Sequence, residues 1–199
     1  MPTLLVIDIQ RGAFDGVRCP PIDSPEPFVA QARALVDAAR AGHHPIVFVQ
    51  HCETTPGEAF EEGTEQGQLH EALRPEPGRE AAGLESVQKK YASSAFENTG
   101  LDAKLKALGA ADDDGTLVVC GLQSEFCVTN TTRSALGLGY RVLLAEDAHN
   151  TWPSQGRSAA EIRAEVNAQL AEAGATLMAT EQLAARLAAG AAAAAAKAD

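Results

Sequence analysis

The chain lacks the features that mark nucleic-acid-binding, membrane and dinucleotide-binding proteins. Its 199 residues include only 16 Lys and Arg against 27 Asp and Glu, and the resulting net charge of -11 repels phosphate backbones and anionic lipid. No apolar run approaches the roughly 20 residues that a membrane-spanning helix needs. No GxGxxG follows the first strand pattern, so a nucleotide-binding or redox module has no support. We therefore expect neither nucleic acid nor a membrane as a partner.

Cysteine is also scarce, and its spacing excludes a disulfide framework. The four cysteines form no CxxC pair. The N-terminus enters a strand pattern at once, without the basic segment and apolar core of a signal peptide, so a cytoplasmic location is the default expectation. In that reducing compartment the cysteines stay thiols, and an individual thiol is available for catalysis.

Short runs of Val, Ile and Leu alternate with helix-like stretches along the chain. The strongest strand candidates are Leu4–Ile9, Pro45–Gln50, Thr116–Gly121 and Arg141–Ala145, and weaker ones are Glu85–Gln88 and Ala175–Thr180. Helices are predicted over Pro27–Gly42, after Gly121 as far as Leu138, and over Ala159–Ala173. Apolar runs that are buried on both faces and alternate with helices predict a mostly parallel sheet. The expected fold class is α/β, a three-layer α/β/α sandwich.

One stretch breaks this rhythm. Residues 52–83 are rich in Glu, Gly and Pro and contain at most one short helix, near Gln68–Leu73. A loop of that length inside a compact domain is usually a functional lid or a mobile insertion. We predict one domain over residues 1–187 that includes this insertion, followed by an alanine-rich tail over residues 188–199.

Three polar features lie near the carboxyl ends of predicted strands, where open parallel sheets bind ligands. Asp8 lies among residues that should be buried, and it is either a site residue or a cap of the following turn. Cys127 follows Gly121, and Ser124 as an N-cap would place it in the first helical turn. There the N–H groups and the helix dipole favour a thiolate, although a structural buried cysteine is the alternative. The pair Lys89–Lys90 is either a solvated turn or a source of positive charge for that thiolate.

Four motifs, in order, resemble the isochorismatase-like cysteine hydrolase superfamily, which includes nicotinamidases and N-carbamoylsarcosine amidase. They are LLVIDIQRGAF, PIVFVQH, KKYASSAFENTGLDAKL and TLVVCGLQSEFCVTNTTRSALGLGYRVLLAEDAHNT, and they cover about residues 3 to 152. The resemblance implies a hydrolase that cleaves a small amide-type C–N bond through a thioester, without metal or cofactor. It also implies a homo-oligomer, a dimer or tetramer.

The resemblance further implies a catalytic triad of Asp8, Lys90 and Cys127. Lys90 is chosen because the family lysine usually lies six residues before the phenylalanine that is Phe96 here, and Lys89 is the alternative. The family also has a cis peptide, which here would join Leu122 to Gln123. The backbone N–H groups of Gln123 and Cys127 would then form the oxyanion hole.

The nicotinamidases of the family that this chain resembles have a metal motif of Asp and His residues just after the second strand. This chain departs from that pattern, since Gln50-His51-Cys52-Glu53 contains no Asp-x-His pair. No metal is therefore expected, and a metal-dependent nicotinamidase is the alternative enzyme. A catalytically silent binding protein on the same fold is the alternative from another class. The residues proposed to shape the pocket are Gln10, Phe14, His51, Phe126 and Trp152.

Overall fold

The computed structural model describes residues 1–109 and 115–189, and six parallel strands form its central sheet. The strands are β1 (Thr3–Ile7), β2 (Ile46–His51), β3 (Glu85–Lys90), β4 (Thr116–Leu122), β5 (Arg141–Asn150) and β6 (Thr176–Met178). Their order across the sheet is β3-β2-β1-β4-β5-β6. The predicted α/β class is confirmed, and every strand pairing is parallel.

In the described part of the chain, one α-helix lies between each pair of successive strands, and a sixth follows β6. They are α1 (Pro25–Ala41), α2 (Pro77–Ala81), α3 (Leu101–Ala107), α4 (Thr129–Gly137), α5 (Ala159–Glu172) and α6 (Thr180–Ala188). Within the described ranges, no helix is long and apolar enough to cross a membrane. The predicted tail overlaps the end of α6, and its residues 190–199 lie outside the described part of the chain.

The core lies on both faces of the sheet because successive side chains of a strand point in opposite directions. In β1, Leu4 and Val6 belong to a buried cluster that also contains the α1 residue Phe28, whereas Leu5 and Ile7 belong to a second cluster. All five residues of β1 are buried. Because both faces of β1 are buried, its sequence is the nearly continuous apolar run TLLVI. This pattern explains why the sequence predicts the position of β1 well.

Gly121 lets β4 approach β1 closely at the carboxyl edge of the sheet. Its φ is +134°, and a Cβ atom at this position would lie 2.1 Å from the carbonyl oxygen of Ile7. Only glycine fits such an approach. The strand continues to Leu122, one residue beyond the predicted end, and the following Leu122–Gln123 peptide bond is cis.

The short helix predicted near Gln68–Leu73 is wrong, because the backbone at the start of this stretch bonds to the segment after β1. The N–H of Arg11 donates to the carbonyl of Gln68 at 2.9 Å, and the N–H of His70 donates to Ile9, also at 2.9 Å. The helix in the insertion is α2, which begins at Pro77. Proline suits that first position, since its missing N–H has no intrahelical partner there.

A buried carboxylate anchors the start of β3. Glu85 Oε1 lies 2.9 Å from Arg40 Nε and 2.6 Å from Arg79 Nε, and its other oxygen accepts the N–H of Glu76 at 2.8 Å. Burial opposes ionisation of Glu85, but the hydrogen bonds and charges of its partners outweigh it and lower its pKa. We call Glu85 with Arg40 and Arg79 the clamp. It connects β3 to α1 and α2 at the end of the strand opposite Lys90.

We predict that Glu85→Gln lowers the free energy of unfolding by about 3 kcal/mol, because it leaves the partly buried guanidinium of Arg79 without its anion and leaves Arg40 paired only with the more exposed Glu76. Chemical denaturation at pH 7 measures this loss. The matched control is Asp37→Asn, which breaks an exposed pair with Arg33 and should cost less than about 1 kcal/mol.

The same clamp has a pH dependence with a defined sign. Because the folded-state pKa of Glu85 is depressed below 4.5, its contribution is fully present above that value and is lost as the pH falls through the folded pKa. The stability difference between wild type and Glu85→Gln should therefore shrink in acid. A difference that stays constant down to the acid transition would contradict the clamp.

Candidate active site

The candidate site lies where the carboxyl ends of four neighbouring strands meet. Asp8 follows β1, His51 ends β2, Lys90 ends β3, and Gln123 follows β4. From β1 the sheet continues through β2 and β3 on one side and through β4, β5 and β6 on the other. Ligands of open parallel sheets bind at such a switch point, here between β1 and β4. Sequence-distant polar side chains are thereby brought to one place.

The alternation of side chains along β3 separates the two lysines. Lys90 points inward and its side chain is fully buried, whereas Lys89 points outward and bonds to Glu62 at 2.7 Å. The Lys90 ammonium nitrogen lies 2.8 Å from Asp8 Oδ2 and 3.2 Å from Cys127 Sγ. The structure thus brings together the three residues of the expected triad, with Lys90 and not Lys89 at its centre.

Lys90 has more acceptors than protons. Besides Asp8 and Cys127, its Nζ lies 3.1 Å from His51 Nδ1 and 3.0 Å from the carbonyl oxygen of Ala92. An ammonium has three N–H groups, so these four acceptors cannot each receive an N–H of their own. The geometry allows Lys90 to redistribute its hydrogen bonds between the carboxylate and the sulfur without moving away from either.

Asp8 adopts a left-handed backbone conformation, with φ of +52°, directly after the last residue of β1. Aspartate tolerates this region better than most residues, and the turn directs its side chain to the buried centre of the site. Burial raises the pKa of Asp8, and the charge of Lys90 opposes that shift without cancelling it. Asp8 is therefore a better proton acceptor than an ordinary aspartate.

Cys127 lies in a π-helical turn, Ser124–Val128, that continues into α4. The carbonyl oxygen of Gln123 accepts the N–H groups of Phe126 and Val128, the two neighbours of Cys127, each at 3.1 Å. The expected N-cap role of Ser124 is wrong, because Gln123 occupies that position.

Ser124 is instead bonded to a buried histidine. Its Oγ lies 2.8 Å from His149 Nδ1, and His149 Nε2 lies 2.8 Å from Asn167 Oδ1. Since the Asn167 amide donates to the carbonyl of Glu146, its oxygen must accept from Nε2, and Nδ1 must accept from Ser124. Burial lowers the pKa of His149 to about 4, consistent with this neutral tautomer.

The resting sulfur is a thiol, not the thiolate that its position in a first helical turn suggests. Burial, followed by the negative charge of Asp8, raises the pKa of Cys127 to about 11, and the nearby Lys90 only partly offsets them. Neither the burial of Cys127 nor its distance to Asp8 is visible in the sequence pattern, so the pattern wrongly favours a thiolate.

Sequence reasoning also missed the segment after β3 as part of the site. Ala92 provides a carbonyl oxygen to Lys90, and Ser93 Oγ lies 4.0 Å from Cys127 Sγ. Asn130 donates to Ser93 at 2.8 Å and thereby links this segment to α4. The KKYASSAF motif was the available signal, although it identified only the lysine.

His51 lies beside the ammonium and is neutral. Burial and the charge of Lys90 lower its pKa to about 4. Because Lys90 can only donate, Nδ1 of His51 accepts the bond and Nε2 carries the ring proton. Within the described ranges, no three His, Cys, Asp or Glu side chains are grouped so that they could hold a metal ion.

Two of the residues expected to line the pocket are placed elsewhere. The buried Gln10 side chain donates to the carbonyls of His51 and Gly67 and accepts the N–H of His51, so it ties the insertion to β2. Phe14 stacks against Phe28 and lines a separate cavity beside α1. Gln10 and Phe14 therefore do not line the pocket as expected, because contacts with residues distant in the sequence determine the positions of their side chains.

The remaining pocket residues lie on the same side as the triad. Trp152 and Gln123 line a cavity of about 410 Å³ that also contacts the insertion residues Glu53 and Phe60. His51 lines an adjoining cavity of about 270 Å³. Phe126, next to Cys127, is 52% exposed.

The fold and site define an α/β protein with a buried carboxylate, ammonium and thiol at the switch point of a parallel sheet. Residues 2–182 match the Isochorismatase domain. The chain belongs to the isochorismatase family.

Three relatives illustrate its place in that family. Streptothricin hydrolase of Streptomyces noursei is 35% identical over 149 residues, 75% of this chain, which spans only about half (49%) of that protein. The crystal structure of an isochorismatase from Pseudomonas putida KT2440 has a TM-score of 0.80 and 32% identity, covering 91% of this chain and 89% of that one. N-carbamoylsarcosine amidase from Thermoplasma acidophilum has a TM-score of 0.71 and 26% identity, covering 90% and 96%.

The charges around Cys127 predict opposite effects of two substitutions on its ionisation. Asp8→Asn removes the negative charge that raises the thiol pKa, so the pKa should fall below about 11, whereas Lys90→Met should raise it. The pH dependence of Cys127 alkylation by iodoacetamide measures both, since only the thiolate reacts. Cys127→Ala provides the background from the other cysteines. An Asp8→Asn variant whose alkylation midpoint moves upward would contradict this description of the site.

Proposed function

We propose that the chain is a cysteine hydrolase that cleaves an amide-type C–N bond of a small molecule through a thioester. The observation that carries the proposal is the position of the Lys90 ammonium, 2.8 Å from Asp8 and 3.2 Å from Cys127. A hydrolase and an amidase among the relatives support the same class of reaction.

The first step is transfer of the Cys127 thiol proton to Asp8. Before the transfer the site contains a carboxylate, an ammonium and a thiol, and afterwards a carboxyl, an ammonium and a thiolate. The total charge is unchanged, so no net charge has to be created in the buried site. The raised pKa of Asp8 favours its role as the acceptor.

The thiolate then attacks the carbonyl carbon of the substrate, and a C–S bond forms as the carbonyl π electrons move to oxygen. The backbone N–H groups of Gln123 and Cys127 stabilise the oxyanion. Asp8 returns its proton to the leaving nitrogen, the C–N bond breaks, and the acyl group remains on sulfur as a thioester.

Hydrolysis of the thioester regenerates the enzyme. Asp8, again a carboxylate, takes a proton from the water that attacks the acyl carbon. When the C–S bond breaks, Asp8 gives this proton to the departing thiolate, and the thiol is restored. Lys90 keeps its three protons throughout and stabilises whichever neighbour is negative.

We predict that Cys127→Ala lowers turnover by at least about 10³-fold without loss of the fold, because the nucleophile is absent. The assay is ammonia release from small amides, ureido acids and carbamoyl compounds, with circular dichroism as the check on folding. The matched control is Cys120→Ala, which removes a buried thiol of β4 outside the site and should retain activity. Mass spectrometry of the quenched wild type should detect an acyl group on Cys127.

An active Cys127→Ala variant would rule out the covalent route.

The homo-oligomer, the cytoplasmic location and the division into domain and tail stay predictions.

A further inference from the structure

The cavity beside Gln123 combines aromatic walls with negative charge. Its volume is about 410 Å³, and its lining includes the aromatic side chains of Phe60 and Trp152. Of the described residues that line it, Glu53 alone has a formal charge. Gln123, whose backbone N–H belongs to the proposed oxyanion hole, also lines this cavity.

The walls are held in place by hydrogen bonds that do not involve a ligand. Glu53 Oε2 accepts the N–H of Phe60 at 2.7 Å, and the N–H of Glu53 donates to the Phe60 carbonyl at 3.1 Å. The indole N–H of Trp152 donates to the carbonyl of Pro20 at 2.7 Å. The Glu53 carboxylate is therefore already held in place before a cationic ligand binds, which reduces the entropic cost of binding.

The neighbouring cations are bound to other carboxylates. The Arg18 guanidinium lies 2.6 Å from Glu61, and Lys89 lies 2.7 Å from Glu62. Cys19 also lines the cavity, and its pKa is raised by burial and by the negative charges of Asp15 and Glu53. The cavity is thus electrostatically negative and suited to a positive group.

We infer that this cavity binds the cationic part of the substrate, an ammonium or guanidinium group, while the amide carbonyl lies at the N–H groups of Gln123 and Cys127. The inference rests on the proposed function and specifies its substrate class. Glu53 supplies the counter-charge, and the aromatic side chains of Phe60 and Trp152 provide the surroundings in which cations are favoured over neutral groups.

Three amides with the same four-methylene chain test the inference. They are 5-aminopentanamide, hexanamide and adipamate, whose far ends are positive, neutral and negative. Each is assayed for the concentration that halves the rate of Cys127 alkylation by iodoacetamide, a readout that does not require turnover. The wild type should be protected by 5-aminopentanamide at a concentration at least about fivefold lower than by hexanamide, the advantage of one weakly screened ion pair. Adipamate should protect least.

Glu53→Gln keeps an oxygen for the Phe60 N–H but removes the charge, so it should abolish the preference for 5-aminopentanamide and leave protection by hexanamide unchanged. Glu62→Gln is the matched control, since it removes one negative charge from a carboxylate already paired with Lys89. It should leave the preference intact.

Equal protection by the three amides, or a preference that survives Glu53→Gln, would overturn the cation subsite. Ammonia release that depends on Cys127 would still support the proposed function in that case. Conversely, selective protection by 5-aminopentanamide together with no hydrolysis of any amide would support the subsite and contradict the proposed reaction.

Discussion

The buried ammonium of Lys90 is the constraint on which the site depends. Removing an isolated ammonium from water costs several kcal/mol, and this cost is tolerable only if an anion and further acceptors surround it. Asp8 supplies the anion at 2.8 Å, and His51 and the carbonyl of Ala92 supply acceptors at 3.1 and 3.0 Å. The ends of β1, β2 and β3 and the segment after β3 are thus fixed relative to one another by one charge.

The same ammonium explains how a thiol with a raised pKa would act as the nucleophile of the proposed reaction. Burial and Asp8 keep Cys127 protonated, with a pKa of about 11, in the resting site. In the proposed reaction, proton transfer to Asp8 would move the negative charge from one neighbour of Lys90 to another, so the ammonium would stabilise both states. Electrostatic complementarity of this kind needs no reorganisation during the reaction, because the charged group is already in place.

The sequence predicts the fold for identifiable physical reasons, whereas the triad is implied by the family resemblance. A strand buried on both faces must be apolar throughout, so β1 and β4 are conspicuous, and the carboxyl edge of a parallel sheet then brings Asp8 and Cys127 together. The resemblance alone points to Lys90, since the family lysine usually lies six residues before the phenylalanine that is Phe96 here, and the alternation of β3 explains why Lys89 is outside.

The errors have a common origin in long-range contacts. Gln10 is buried because it bonds to Gly67, and the Gln68–Leu73 stretch is not helical because its backbone bonds to Ile9 and Arg11. Neither contact has a local signature in the sequence. The thiol state of Cys127 was missed for the same reason, since it depends on burial and on a carboxylate more than a hundred positions away in the chain.

Neutron diffraction from deuterium-exchanged crystals of the free protein near neutral pH tests the central claim most directly, because it locates the exchangeable protons of the site. The account predicts three deuterons on Lys90 Nζ, one on Cys127 Sγ and none on the Asp8 carboxylate. A neutral amine at Lys90, or a deuteron on Asp8 beside a bare sulfur, would contradict it.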